Sequence, residues 1–208
     1  MNRAVNRSGN NSEKLLSRRG FLGTVPGATL TLAGCATAPS VPQYTGPAYK
    51  TVSFQTRERP GTVVVDPANH YLYLVQKDGQ ALQYEVGVGK EGFGWSGVAA
   101  VHSKQEWPDW YPTKDILARK PEIMRAMVQL QSGIGMHGGP DNPLGARALY
   151  LWQGKVDTLY RIHGTNEPDT IGHDVSAGCI RLRNNDVADL YERVPVGTKV
   201  VVLPRPLV

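Results

Sequence analysis

From about residue 51 onward, apolar and polar positions alternate with a period of two, the repeat of a strand that buries one face. Thr62-Val63-Val64-Val65, Tyr71-Leu72-Tyr73-Leu74-Val75 and the run from Leu82 to Val88 are rich in β-branched and aromatic residues and read as strands. Turn chemistry at Pro67-Ala68-Asn69 and Asp78-Gly79 separates them, so the domain opens as an antiparallel meander. Ala148 to Trp152, Thr158 to Ile162 and Thr198 to Leu203 add further strands. Helical periodicity is confined to short pieces. Thr113 is placed to cap a helix from Lys114, and Pro121 suits the first turn of a second one. Ile123, Met127 and Leu130 fall at i, i+4 and i+7 and read as a core-facing stripe, and Asn184 to Arg193 reads as a capped helix. Trp107-Pro108-Asp109-Trp110-Tyr111-Pro112 is an aromatic loop stiffened by proline. These elements predict a mostly β domain with short helices, built as a sandwich or a partly closed barrel.

The first fifty residues follow a different pattern. Ser17-Arg18-Arg19-Gly20-Phe21-Leu22 has the paired arginines of a twin-arginine export signal, ahead of a mildly apolar run from Phe21 to Ala33. That run is too short and too polar for a permanent membrane span. Leu32-Ala33-Gly34-Cys35 resembles a lipobox, in which small residues admit the peptidase and the thiol of Cys35 takes the lipid. The expectation is a signal peptide over 1–34, a lipidated N-terminus and proline-rich linker over 35–50, and one catalytic domain over 51–208. Ala36 after the cysteine is compatible with outer-membrane sorting if the source is Gram-negative, which points to a periplasmic, membrane-anchored protein.

Charge removes one class of function. The 208 residues carry 23 Lys and Arg against 18 Asp and Glu, a formal charge of +5. Residues 1–34 hold five of the basic residues and one acidic residue, which leaves 18 basic and 17 acidic in the rest. A nearly neutral domain has no electrostatic footprint for nucleic acid.

Of two cysteines, Cys35 and Cys179, the first is assigned to lipid, leaving Cys179 unpaired in an exported chain. Cys179 follows Ser176-Ala177-Gly178 and precedes Ile180-Arg181-Leu182, while Ile162-His163-Gly164-Thr165 ends a strand upstream. A thiol becomes a working nucleophile beside an imidazole, a cation or free amides. His163 is the candidate base, the Gly164 carbonyl its orienting partner, and the Gly178 and Cys179 amides a candidate oxyanion site. Activity is expected to rise with pH as this pair reaches its reactive form.

His-Gly-Thr, followed sixteen residues after His163 by Cys179 within Ser-x-Gly-Cys-Ile-Arg-Leu, resembles the L,D-transpeptidase catalytic domain, the YkuD-like family. The similarity runs over much of 58–204 and takes in Gly138 to Gly145 and Asn184-Asn185-Asp186. It implies a β-sandwich-like fold with the cysteine in a groove under a mobile lid. It also implies acyl transfer on peptidoglycan stem peptides, from the diaminopimelate carbonyl through a thioester on Cys179 to an amine. Carried over, Cys179 is nucleophile, His163 base and Gly164 orienting carbonyl, with Ser176, Gly178 and Arg181 in the oxyanion and substrate-binding set. No metal or other cofactor is implied. The acceptor is another stem peptide, an outer-membrane protein amine, or water. Ala177 stands where the family often has histidine, and His173 is a weak candidate to compensate.

Three other readings compete. A zinc hydrolase drawing on His137, His163, His173 and Cys179 lacks any HExxH or CxxC spacing. A papain-like amidase has the cysteine before the histidine, the reverse of the order here. A non-catalytic wall-binding lipoprotein is favoured only by Ala177.

Overall fold

The computed structural model describes residues 46–205. The twin-arginine motif, the apolar run and Cys35 lie outside these residues. In chain order the strands are β1 (Lys50–Ser53), β2 (Val63–Asp66), β3 (Tyr71–Val75), β4 (Gln80–Glu85), β5 (Val88–Gly89), β6 (Gly97–Glu106) and β7 (Val128–Leu130). They continue as β8 (Gly133–Gly135), β9 (Arg147–Gln153), β10 (Val156–His163), β11 (Asp174–Ser176), β12 (Ile180–Arg181) and β13 (Lys199–Val202). The α-helices are α1 (Lys114–Arg119) and α2 (Asn184–Arg193).

The sequence meander appears as neighbours β4, β3 and β2, paired antiparallel. Nine strands form one sheet in the order β1-β4-β3-β2-β13-β6-β9-β10-β12. Its core draws on both halves of that order. Val63, Val65, Leu72 and Tyr84 are fully buried from the first half, and Leu149, Leu151 and Ile162 from the second, with Val187 and Leu190 of α2 in the same cluster. Each such aliphatic side chain contributes about 1.5–3 kcal/mol by leaving water. The Tyr84 hydroxyl, carried into this core, donates to Asp189 Oδ2 at 2.6 Å and so links the sheet to α2.

The sheet is rolled. In the strand order β4 and β12 lie seven places apart, which in a flat sheet is about 34 Å at 4.8 Å per strand. Yet Gly87, two residues past β4, exchanges both backbone hydrogen bonds with Arg181 of β12, at 2.9 and 2.8 Å. The chain kinks at Val86-Gly87, so the predicted strand from Leu82 to Val88 is two strands, and the second, β5, pairs with β11. The domain is the mostly β, sandwich-like arrangement with short helices that the sequence predicts, its sheet rolled so that β12 meets the kink after β4.

Two local expectations change. The stripe Ile123, Met127 and Leu130 does not lie on one helix: a 3-10 turn spans Pro121–Ala126, and Leu130 reaches the core from the β7–β8 hairpin. Gly133, at φ 133°, serves the tight reversal that a continuing helix would exclude. The domain also begins earlier than residue 51. Ala48 N–H donates to Asp186 Oδ1 at 2.7 Å and Tyr49 packs against the core beside Tyr84, so the end of the predicted linker is part of the fold.

The 3-10 turn at Pro168–Thr170 leaves no room at residue 87. A Cβ there would lie 2.7 Å from the Thr170 carbonyl oxygen. Gly87→Ala is therefore expected to lower stability by about 1–3 kcal/mol. A urea unfolding midpoint equal to that of the wild type would contradict this close approach of Gly87 to Thr170.

Candidate active site

The rolled sheet puts β12 beside β10, paired in parallel with Ile162 opposite Ile180 and His163 opposite Arg181. Cys179 immediately precedes β12. Because side chains two residues apart in extended chain share a face, Cys179, Arg181, Arg161 and His163 project to the same side. One strand pair thus sets Cys179, His163 and Arg181 on a shared face.

The turn that delivers Cys179 is held by Ser176. Its buried hydroxyl donates to the Cys179 carbonyl at 2.6 Å and accepts from the Gly178 N–H at 3.0 Å. Two consequences follow for the predicted oxyanion set. Ser176 orders the backbone of the turn, and the Gly178 amide donates to its hydroxyl. Gly178 itself is required by space and conformation: it sits at φ 122°, and a Cβ would run into the Tyr160 ring and approach the Phe93 carbonyl.

Cys179 is a free thiol and is half-buried. Its sulfur lies 3.9 Å from the Leu159 carbonyl and accepts from the Arg161 backbone N–H. Both groups come from an irregularity in β10, where the register with β9 shifts between Asp157 and Arg161. Leu159 there has φ 62°, an unusual conformation for a residue with a bulky side chain. Asp157 pins it by accepting from the Leu159 N–H at 2.8 Å and from both terminal nitrogens of Arg161 at 2.7 and 2.8 Å. These backbone contacts to sulfur were not anticipated from sequence, since no propensity marks a left-handed leucine.

His163 is buried, and its Nδ1 lies 2.6 Å from the Gly164 carbonyl. A carbonyl only accepts, so the neutral ring carries its proton on Nδ1 and leaves Nε2 as an acceptor. Burial, followed by the nearby Arg181 charge, lowers the imidazole to about 3, against the stabilising pull of the Gly164 carbonyl. Burial likewise pushes the Cys179 thiol up, opposed by the Arg161 N–H and the charges of Arg161 and Arg181. Both shifts favour the uncharged pair. Arg181 donates to Glu167 at 3.0 Å at the rim.

On the other side of the turn, Gly178 borders a cavity of about 490 Å³ with Val88, Trp95, Ile180 and Leu203 in its walls. Trp95 stacks on Tyr160 with ring centres 5.6 Å apart. The remaining histidines stand away from the thiol's contacts. His137 is exposed near Asp109, His173 is exposed, His70 bonds Asp174 at 2.8 Å, and His102 stacks on Trp152. Among the described residues no three of His, Cys, Asp and Glu converge as metal ligands.

Comparison with known proteins agrees with this geometry. The sequence model of the YkuD family, described as the L,D-transpeptidase catalytic domain, matches residues 60–202. A probable L,D-transpeptidase, ErfK/SrfK of Escherichia coli K12, is 38% identical over 153 residues, 70% of this chain and 44% of its own length. The chain thus spans less than half the length of this curated relative. The Ldtfm-avibactam carbamoyl enzyme shares the fold, with a TM-score of 0.51 at 18% identity, over 72% of this chain and 51% of that one. A Brucella melitensis protein described as a probable carnitine operon oxidoreductase is 46% identical, with a TM-score of 0.50, over 79% of this chain and 96% of that one. Gly87-Val88-Gly89-Lys90-Glu91-Gly92 does match the G-x-G-x-x-G spacing of dinucleotide sites. Here, however, it leads from β5 through a turn into β6, so no helix N-terminus stands ready for a pyrophosphate.

The lowered imidazole has a consequence for stability. An unfolded imidazole titrates near 6.5, and His163 in the fold near 3. Between those values the unfolded chain binds a proton that the folded chain refuses, so stability falls as pH is lowered through that window. Urea midpoints measured at intervals of pH for wild type and His163→Gln should show the wild type losing stability faster below 6.5. A difference independent of pH would mean that His163 is not held neutral by the fold.

Proposed function

Because the chain belongs to the YkuD family of L,D-transpeptidases, we propose that it performs cysteine-dependent acyl transfer on peptidoglycan stem peptides, with Cys179 as nucleophile and His163 as general base. The observation that carries this reading is the Nδ1 bond of His163 to the Gly164 carbonyl, which leaves Nε2 as a proton acceptor on the face Cys179 shares. Sulfur attacks the diaminopimelate carbonyl as its proton passes to Nε2. The tetrahedral intermediate collapses with loss of the terminal D-amino acid, whose amine takes that proton. An acceptor amine then attacks the thioester and gives its proton to His163, and the departing Cys179 sulfur takes that proton, which restores the neutral pair. With the Gly178 amide engaged by Ser176, the oxyanion falls to the Cys179 amide. Arg181, on the same face and partly screened by Glu167, steers a substrate carboxylate.

The acceptor is taken to be a second stem peptide, which gives a cross-link; attachment to an outer-membrane protein uses the same steps. Export by the twin-arginine route and lipidation at Cys35 would set the enzyme on the periplasmic side of a membrane, on the support of the leader motifs. Fatty-acid labelling in cells should be lost in Cys35→Ser, and retained label would exclude that anchor.

Incubation with a carbapenem should add the mass of one drug molecule to the wild type and none to Cys179→Ala. His163→Ala should acylate about a hundredfold more slowly or worse. Absence of an adduct on a titratable thiol would remove the enzyme reading, and mass spectrometry of products from defined muropeptides would identify the acceptor. The neutral resting pair also fixes the alkylation profile. Iodoacetamide should react with Cys179 at a rate still rising above about pH 8.5, the ordinary thiol value. A plateau near neutrality would indicate a preformed thiolate and imidazolium.

A further inference from the structure

In α2 the N-cap residue is Arg183, no side chain caps the helix, and the first helical residue is Asn184. Its Oδ1 accepts two hydrogen bonds from elsewhere, from the Ala146 N–H at 2.9 Å and from the Thr165 N–H at 3.1 Å. The second of these is the informative one. Thr165 N–H and the Gly164 carbonyl are the two ends of one peptide group, and a peptide group is planar and trans. Holding the N–H end therefore sets the direction of the carbonyl end, and the carbonyl end is the acceptor for Nδ1 of His163 at 2.6 Å. A peptide whose N–H is donating is also polarised toward a stronger carbonyl acceptor.

Packing reinforces the arrangement. A Cβ on Gly145 or on Gly164 would collide with Asn184 Oδ1, so both glycines leave the space the amide occupies. The other ends of the segment are fixed independently, by Gly164 N–H on the Arg147 carbonyl at 3.0 Å and by Leu182 N–H on the His163 carbonyl at 2.8 Å. With those anchored, the peptide between Gly164 and Thr165 is the element whose orientation depends on Asn184.

We propose that Asn184 is a positioning residue, which fixes the His163 tautomer by clamping the peptide group that supplies the Gly164 carbonyl. The proposal rests on the assignment of His163 as base, but its structural content can be read without turnover. Asn184 withholds the proton of Nδ1 from exchange between the two ring nitrogens, and so keeps Nε2 free to receive the thiol proton.

Three forms of the full chain decide it: wild type, Asn184→Ala and Asn184→Asp. Two-bond proton–nitrogen correlation spectra of the imidazole report the tautomer, and carbapenem acylation across pH reports the base. Wild type should show the Nδ1–H tautomer alone. Asn184→Ala should show a mixture and acylate about ten- to a hundredfold more slowly, the usual cost of losing an orienting partner. Asn184→Asp keeps an acceptor oxygen for both N–H groups, so it should retain the wild-type tautomer. Its added charge favours the imidazolium, so the acid limb of its acylation profile should move to higher pH. A folded Asn184→Ala with the wild-type tautomer and rate overturns the proposal. Should that variant fail to fold, an Asn184→Asp protein with a mixed tautomer or an unmoved acid limb overturns it. Failure of the wild type to form any adduct would instead remove the transpeptidase reading, and the tautomer measurement would still judge Asn184.

Discussion

The reciprocal pair of backbone hydrogen bonds between Gly87 and Arg181 is the constraint on which the rest of the domain depends. Without it the sheet has two remote edges, and β12 is a two-residue strand held only by β10. With it, the far edge is tied to the kink after β4, and β5 is brought alongside β11. The turn from Ser176 to Cys179 then hangs between two fixed strands, β11 and β12. A cysteine just ahead of so short a strand is precise only because both of its flanks are anchored. The closure also sets Gly178 against the loop that follows β5, through Tyr160 and the Phe93 carbonyl.

That scaffold treats polar groups near the thiol economically. The Ser176 hydroxyl serves one donor and one acceptor of the same turn, Asp157 serves a backbone amide and a guanidinium, and Asn184 serves two amides from different loops. The Ser176 and Asn184 bonds satisfy backbone groups withdrawn from water, which would be costly to leave unpaired, while Asp157 holds an exposed turn. Each also rigidifies a segment that carries or contacts a member of the proposed dyad. Stability and pre-organisation are here the same hydrogen bonds, counted once for the fold and once for the chemistry.

Much of this was legible in the chain, and unevenly so. His163, Gly164 and Cys179 stood out because they lie at a strand end and after a run of small residues, both local signals. The strands from Val63 to Glu85 and the helix from Asn184 were legible for the same reason, since alternation and helical spacing are local. Ser176 and Gly178 were singled out for the oxyanion set, but the hydrogen bond from the Gly178 amide to the Ser176 hydroxyl depends on a turn geometry no pattern announces. The stripe at Ile123, Met127 and Leu130 misled because a 3-10 turn followed by a hairpin can reproduce helical spacing over two turns. The use of Asn184 was not legible, since its partners Ala146 and Thr165 come from far along the chain.

The electrostatics of the pair also differ from the usual picture of an activated thiol. Nearby cations ordinarily draw a cysteine toward its thiolate, and Arg161 and Arg181 do act in that direction on Cys179. Burial acts against them on the thiol and alongside Arg181 on the imidazole, so the two groups are pushed apart in the sense that keeps both uncharged. The proton must then leave sulfur as the new bond forms, which demands an imidazole already in the right tautomer. For the exported setting proposed here, the same balance has a second effect. Oxidation proceeds through the thiolate, so a lone cysteine kept protonated until its substrate is bound survives where an exposed, ionised one would be lost.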